Sequence, residues 1–257
     1  MTLVQAIVGV LIGFVSGMLS GLFGVGGGIV MTPGIQVLLG TTPIVALATP
    51  LPVIFPTAMT GAYTYGRAGE LDTRAAAWIV GPGIVTAILG SWLTDVVNTH
   101  LLLVITAALL AYQAINILRG ARADARSRPM RPGSPLVFAG IGAAAGFISG
   151  LLGIGGGLII VPLLAGLLGM PLKRALGTSL LAIVGLVIPG TVVHTALGHI
   201  DWAVFAVVTL GAVPGARVGA KLALGTREHT LRMLVGTFLL VVALAYGLSE
   251  LAHLVRA

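Results

Sequence analysis

Ten apolar stretches separated by short polar connections constrain this chain more than any other feature of its sequence. They run over roughly 3–23, 28–40, 43–65, 75–94, 100–118, 135–152, 157–169, 175–197, 202–224 and 233–254. A helix that crosses the hydrocarbon core of a bilayer needs about 20 apolar residues, and eight of the ten stretches qualify on length. The stretches 28–40 and 157–169 hold only 13 residues each and suit half-helices or re-entrant segments. Composition closes off the alternatives. With 8% of its residues charged and 57% hydrophobic, against roughly a quarter charged in soluble domains, the chain cannot cover its own surface in water. A soluble enzyme, a disordered chain and a DNA-binding domain are excluded, and the expected fold class is an all-α polytopic membrane protein. The first stretch reads as a retained span, because no Lys or Arg precedes it and it is longer than a signal-peptide core. The chain has no cysteine, which rules out disulfides, thiolate metal sites and cysteine relays. No cofactor or metal is expected.

Shifting the sequence by 129 residues lays its two halves on each other without a gap. Over positions 17–40, 12 of 24 residues are identical to those at 146–169, including Pro33 with Pro162 and Gly40 with Gly169. Further along, Thr49 meets Thr178, Gly61 meets Gly190, Gly69 meets Gly198 and Asp72 meets Asp201. Chance likeness between apolar segments would match Leu, Val and Ala, not a spaced set of Gly, Ser, Pro and Asp. The chain is therefore read as a duplication: a first repeat over 1–118, a basic linker over 119–134 and a second repeat over 135–257. Each copy holds five segments, an odd number, so the copies are expected to enter the membrane from opposite sides as inverted repeats, an arrangement common in secondary transporters.

Orientation follows from the bases. The linker carries Arg119, Arg122, Arg126, Arg128 and Arg131 against one acid, Asp124, and basic loops stay in the cytoplasm. If all ten segments cross, 13 of the 14 bases lie inside and only Arg256 lies outside. A multi-pass protein of the cell membrane, with a cytoplasmic linker and both termini outside, is the expectation.

The segments Gly24-Val-Gly-Gly-Gly28 and Gly153-Ile-Gly-Gly-Gly157 stand just before the two short stretches. Glycine admits positive φ and leaves its N–H groups uncovered. A helix that starts after such a run points free N–H groups and its positive dipole end forward, which makes an anion site from backbone alone. Close helix packing is the competing explanation. It holds for Gly9, Gly13, Gly17 and Gly21 and for Gly142, Gly146 and Gly150, which recur every four residues. The candidate substrate-binding residues are Gly26, Gly27, Gly28, Gly155, Gly156 and Gly157, with Thr49, Thr178 and Ser179 as hydroxyl donors. Thr49 precedes Pro50 and Pro52, which break a helix; satisfying their own backbone is the equal alternative for both threonines. Ser20 and Ser149 are expected to bond backbone within their own helices.

The duplicated Ser-Gly-x-x-Gly-x-Gly-Gly-Gly followed by Pro33 or Pro162, with the later Gly198-His-Ile-Asp201-Trp202, resembles the sulfite exporter TauE/SafE family of membrane permeases over essentially the whole chain. The resemblance implies an anionic, sulfur-containing substrate such as sulfite or an organosulfonate, exported or taken up. A membrane scaffold or assembly protein that transports nothing is the alternative.

Other polar residues carry weaker signals. His194, in an apolar run, aligns with Tyr65 and is a candidate for proton coupling or for an interfacial role. Asp72 and Asp201 each begin a segment and are expected to cap it. Arg217 and Lys221 lie inside an apolar stretch, where they snorkel to the inner surface or draw anions to a vestibule. No carboxylate lies deep in a span, which argues against an acidic relay. The expected partners are a small anionic substrate and the bilayer, with homo-oligomers left open and no nucleic acid.

Overall fold

The computed structural model describes residues 2–93, 133–152 and 155–256, together with residues 108, 111, 112, 114, 115, 118 and 119. Most of the fifth apolar stretch and of the basic linker lies outside the described residues. Every described element is helical: α1 (Leu3–Phe23), α2 (Gly28–Leu38), α3 (Pro43–Ala48), α4 (Pro50–Arg67), α5 (Thr73–Leu93), α6 (Pro135–Leu152), α7 (Gly157–Pro162), α8 (Leu172–Ala196), α9 (Trp202–Gly225) and α10 (Glu228–Arg256). A π-helical turn over Leu163–Leu167 prolongs α7. Among the described residues, Leu3–Phe23, Ile44–Arg67, Thr73–Ser91, Leu172–Ala196 and Trp202–Gly225 are long and apolar enough to cross a bilayer. That is fewer than the eight expected from apolar length, partly because α6 is short and most of the fifth stretch is not described. Both segments expected to be short are short. An 11-residue helix such as α2 rises only about 16 Å, half the hydrocarbon thickness.

Local chemistry sets the ends. Thr2 and Gln5 form a reciprocal capping box at the start of α1, and Gly24, left-handed at φ 68°, closes it by donating its N–H to the Ser20 carbonyl. The stretch 43–65 breaks at Thr49, where Pro50 starts a new helix. Its counterpart α8 runs unbroken, because Ser179 and Leu181 stand where the first copy has Pro50 and Pro52.

The two halves interleave. Helix α1 packs along α9, and α5 packs along α6. Both contacts run through small residues. A β-carbon at Gly13, Gly17 or Gly21 would collide with the carbonyl of Val208, Ala212 or Ala216, and one at Gly142, Gly146 or Gly150 would collide with the carbonyl of Ile79, Gly83 or Ala87. Each contact in the first set becomes its partner in the second when 129 is added to one residue and subtracted from the other. Without a hydrophobic force between helices in lipid, backbones gain attraction by close approach, which only small residues permit. Between these pairs lie α4 and α8, packed on each other, with Ile54, Ala58, Tyr65, Leu176, Leu180 and Ile183 fully buried. Large apolar side chains such as Leu3, Val85, Leu136 and Leu210 stay exposed, as a surface bathed in lipid tails requires.

Candidate functional site

The two glycine loops follow the C-terminal ends of α1 and α6, and their described residues are buried. Gly24, Gly26 and Gly27 have φ of 68°, 86° and 84°, and Gly155 and Gly156 have φ of 85° and 72°. Gly27 and Gly156 are the N-cap residues of α2 and α7, both left-handed and both without a side-chain cap. The first-turn N–H groups of each helix therefore face forward with no side chain bonded to them. A β-carbon at Gly27 would stand 2.9 Å from the Ser16 carbonyl and 3.3 Å from the Ser20 β-carbon; at Gly156 the equivalents are Ala145 at 3.0 Å and Ser149 at 3.4 Å.

The loops also meet. A β-carbon at Gly157 would lie 2.5 Å from the Gly24 carbonyl oxygen and 2.8 Å from the Val25 α-carbon, so the second loop rests directly on the first. Ser179 donates its hydroxyl to the Gly24 carbonyl at 2.9 Å. In this conformation its role is to hold the first loop, and the six glycines Gly26–Gly28 and Gly155–Gly157 are all buried. The structure thus brings the glycines and Ser179 together in a closed arrangement.

Thr49 and Thr178, fully buried, face elsewhere. Thr178 Oγ1 accepts the Asp72 N–H at 2.9 Å, and Thr49 Oγ1 accepts the Asp201 N–H at 3.2 Å. The two bonds are counterparts under the 129-residue shift and both cross between the halves. Each aspartate has a second function, as expected. Asp72 Oδ1 accepts the Ala75 N–H, and Asp201 Oδ1 accepts those of Ala203 and Val204, capping α5 and α9. The symmetry stops at the charges. Arg174 pairs with Asp72 at 3.1 Å, whereas its counterpart in the first half is Val45. Its neighbour Lys173 donates to the Leu224 carbonyl at 2.6 Å, stabilising the negative C-terminal end of α9.

His194 closes the last turn of α8 and lies 3.2 Å, Nδ1 to Nδ1, from His199 in the following loop. A bond between two ring nitrogens needs a proton on one and not on the other. Reading the sequence singled out His194 and missed His199. The signal was the five-residue spacing across Gly198, a turn residue with φ 70°. Arg217 and Lys221 stand on an exposed face of α9 beside exposed Leu210, Val218 and Leu222, away from the face that packs on α1. A cavity of about 210 Å³ opens between Asp72, Trp78, Phe138 and Met170, at the end of α5 rather than at the loops.

One expectation is overturned. Ser20 does not bond backbone within its helix: its hydroxyl and that of Ser16 are fully buried and have no hydrogen-bond partner. Their α1 neighbours are held against the carbonyls of α9 and the glycine loop, and neither hydroxyl turns back to the carbonyl four residues earlier.

Interleaved apolar helices, five of them long enough to cross a bilayer among the described residues, define a polytopic helical membrane protein. Residues 9–246 match the family described as Sulfite exporter TauE/SafE, and the chain belongs to that family. It is 29% identical over 239 residues to the probable membrane transporter protein YunE of Bacillus subtilis, covering 83% of this chain and 85% of the relative. It is 31% identical over 219 residues to YdhB of the same organism, also named a probable membrane transporter protein, covering 82% and 88%. A probable membrane transporter protein of Xylella fastidiosa is 28% identical over 243 residues, 92% of this chain and 91% of its own. No solved structure matches the chain.

Proposed function

We propose that the chain is a secondary transporter that moves a small sulfur-containing anion, sulfite or an organosulfonate, across the cytoplasmic membrane by alternating access. The observation that carries this reading is the pair of buried glycine loops that touch each other, each opening an uncapped short helix. Donors converging from two duplicated loops suit an anion, because backbone N–H groups hold negative charge without a buried counter-ion. The crossed Thr–Asp bonds and the exchanged helix contacts suit two copies related by inversion in the membrane, with the glycine loops at their shared interface near the midplane. On this reading the closed loops are an occluded state. The linker is cytoplasmic and both termini are outside. A scaffold would have no use for two short, uncapped helices whose glycine loops rest on each other in its interior.

The test is flux into liposomes containing the purified protein, with sulfite, sulfate, sulfoacetate and chloride, with and without a pH gradient. Saturable flux of sulfite or sulfoacetate above protein-free liposomes is expected. No flux of any of the four under either condition sinks the reading and leaves the scaffold.

A further inference from the structure

The two copies of the glycine site are not equivalent, and the difference lies in their hydroxyls. In the first copy, Ser16 and Ser20 stand one turn apart on α1, with Gly27 packed against the Ser16 carbonyl and the Ser20 side chain. Both serines are 0% exposed and neither hydroxyl has a partner; Thr209 on α9 is the other such hydroxyl among the described residues. In the second copy Ala145 replaces Ser16 and only Ser149 remains. The helices differ as well. Helix α2 holds 11 residues, whereas α7 holds six before it loosens into a π turn.

A buried hydroxyl without a partner is disfavoured, and most are satisfied. Several helical hydroxyls of this chain are satisfied by donation to the carbonyl four residues earlier: Thr57 to Val53 at 2.6 Å, Thr64 to Thr60 at 2.8 Å, Ser91 to Ala87 at 2.9 Å and Thr191 to Val187 at 2.8 Å. Ser16 and Ser20 do not, and the Ser20 side chain lies against Gly27, the cap of a helix that has no side-chain cap of its own. An unpartnered Ser20 hydroxyl beside the positive end of a three-turn helix, with the unpartnered Ser16 hydroxyl one turn back on α1, is a donor set suited to an oxyanion.

We infer that the anion is held asymmetrically, by the first repeat, with the Ser16 and Ser20 hydroxyls as its side-chain ligands beside the first-turn N–H groups of α2. The ligand class is a small oxyanion with two or more acceptor oxygens, a sulfite or a sulfonate head group. Each hydroxyl donates to one oxygen, and the anion enters as the α2 N-terminus lifts from α1. The second copy, with one hydroxyl and a shorter helix, adds backbone N–H groups only and packs against the first loop. This inference rests on the anion-transport reading above.

The experiment compares the wild-type chain with Ser16→Ala, Ser20→Ala and Ser149→Ala, in liposomes for sulfite flux and in detergent for thermal unfolding with and without sulfite. Ser16→Ala and Ser20→Ala are expected to raise the KM for sulfite about tenfold each, since a hydrogen bond to a charged ligand is lost. Their unfolding midpoints without sulfite should equal or exceed wild type, because an unsatisfied buried hydroxyl has gone, and the rise in midpoint on adding sulfite should disappear. Ser149→Ala should keep its KM within about twofold. A lowered midpoint with unchanged KM in both α1 variants means a structural role and overturns the inference while the transporter reading stands. An equal loss in Ser149→Ala overturns the asymmetry. If the wild-type chain neither carries sulfite nor is stabilised by it, the anion reading fails and this inference falls with it.

Discussion

The crossed hydrogen bonds make a quantitative prediction that does not depend on the substrate. Replacing Thr178 by Val preserves shape and removes the oxygen that accepts the Asp72 N–H at 2.9 Å; Thr49→Val does the same for the Asp201 N–H at 3.2 Å. Leaving a buried donor unsatisfied costs about 1–3 kcal/mol. Both donors are only partly buried, so water recovers some of that loss and about 1 kcal/mol is expected at each end. This corresponds to a roughly fivefold rise in the local opening constant, with 1.4 kcal/mol per factor of ten. The Asp72 end keeps a second tie in Arg174 at 3.1 Å, whose guanidinium side chain is 37% exposed. An ion pair so placed adds at most about 1 kcal/mol, so Thr178→Val should have the smaller effect on its own end. Hydrogen exchange read by mass spectrometry resolves the two ends. The peptide containing Asp72 should exchange faster only in Thr178→Val, and the peptide containing Asp201 only in Thr49→Val. Thr→Ser at either position keeps the acceptor and should restore wild-type rates. Equal acceleration of both peptides in either variant would mean global loosening, and no change in either would mean that the bonds carry no free energy; both results refute the latch.

Three further predictions follow from the packing and the charges. Gly13→Ala and Gly142→Ala each drive a β-carbon into a carbonyl of the facing helix and should each cost about 1–3 kcal/mol, read as lower unfolding midpoints in detergent. Gly81→Ala and Gly140→Ala, where a β-carbon meets nothing within 4 Å, should be neutral or slightly stabilising. A Ser127→Cys variant of this cysteine-free chain should react with an impermeant maleimide only after permeabilisation, and labelling of intact cells would invert the orientation. If flux responds to a pH gradient, His194→Gln should remove that response by breaking the 3.2 Å bond to His199; a response that survives excludes the pair as the proton carrier.

How much of this was legible in the sequence depends on which residues are asked about. The duplication located the glycine loops and the short helices, because positive φ restricts a position to glycine and the restriction is visible as a repeated letter. It could not say what Thr49 and Thr178 face. A hydroxyl's partner is set by how the halves interleave, and the sequence orders α1 and α9 some 200 residues apart although they are neighbours in the structure. The same holds for Gly27. The sequence marks it as a candidate binding residue, yet the Ser16 carbonyl 2.9 Å from its would-be β-carbon makes any side chain there a folding defect first. Function at that loop has to be tested through groups that can be removed without a collision.

Where the copies differ proves more informative than where they agree. Shared residues such as Gly21 with Gly150, or Asp72 with Asp201, maintain contacts that the interleaved architecture needs twice, and they would be kept in a protein that bound nothing. The substitutions that break the pattern answer to only one half. Pro50 against Ser179 breaks α4 from α3 in the first copy and, in the second, frees a hydroxyl to hold Gly24 at 2.9 Å. Arg174 against Val45 gives the Asp72 end an ion pair that the Asp201 end lacks. Ser16 against Ala145 leaves an unpaired hydroxyl in the first copy alone. Two inverted copies with identical residues would make the two closed ends equal in free energy. These three differences all lie at the loops or at the crossed Thr–Asp bonds, so on the transport reading proposed above they are where the two ends would differ in opening and the two copies in holding an anion.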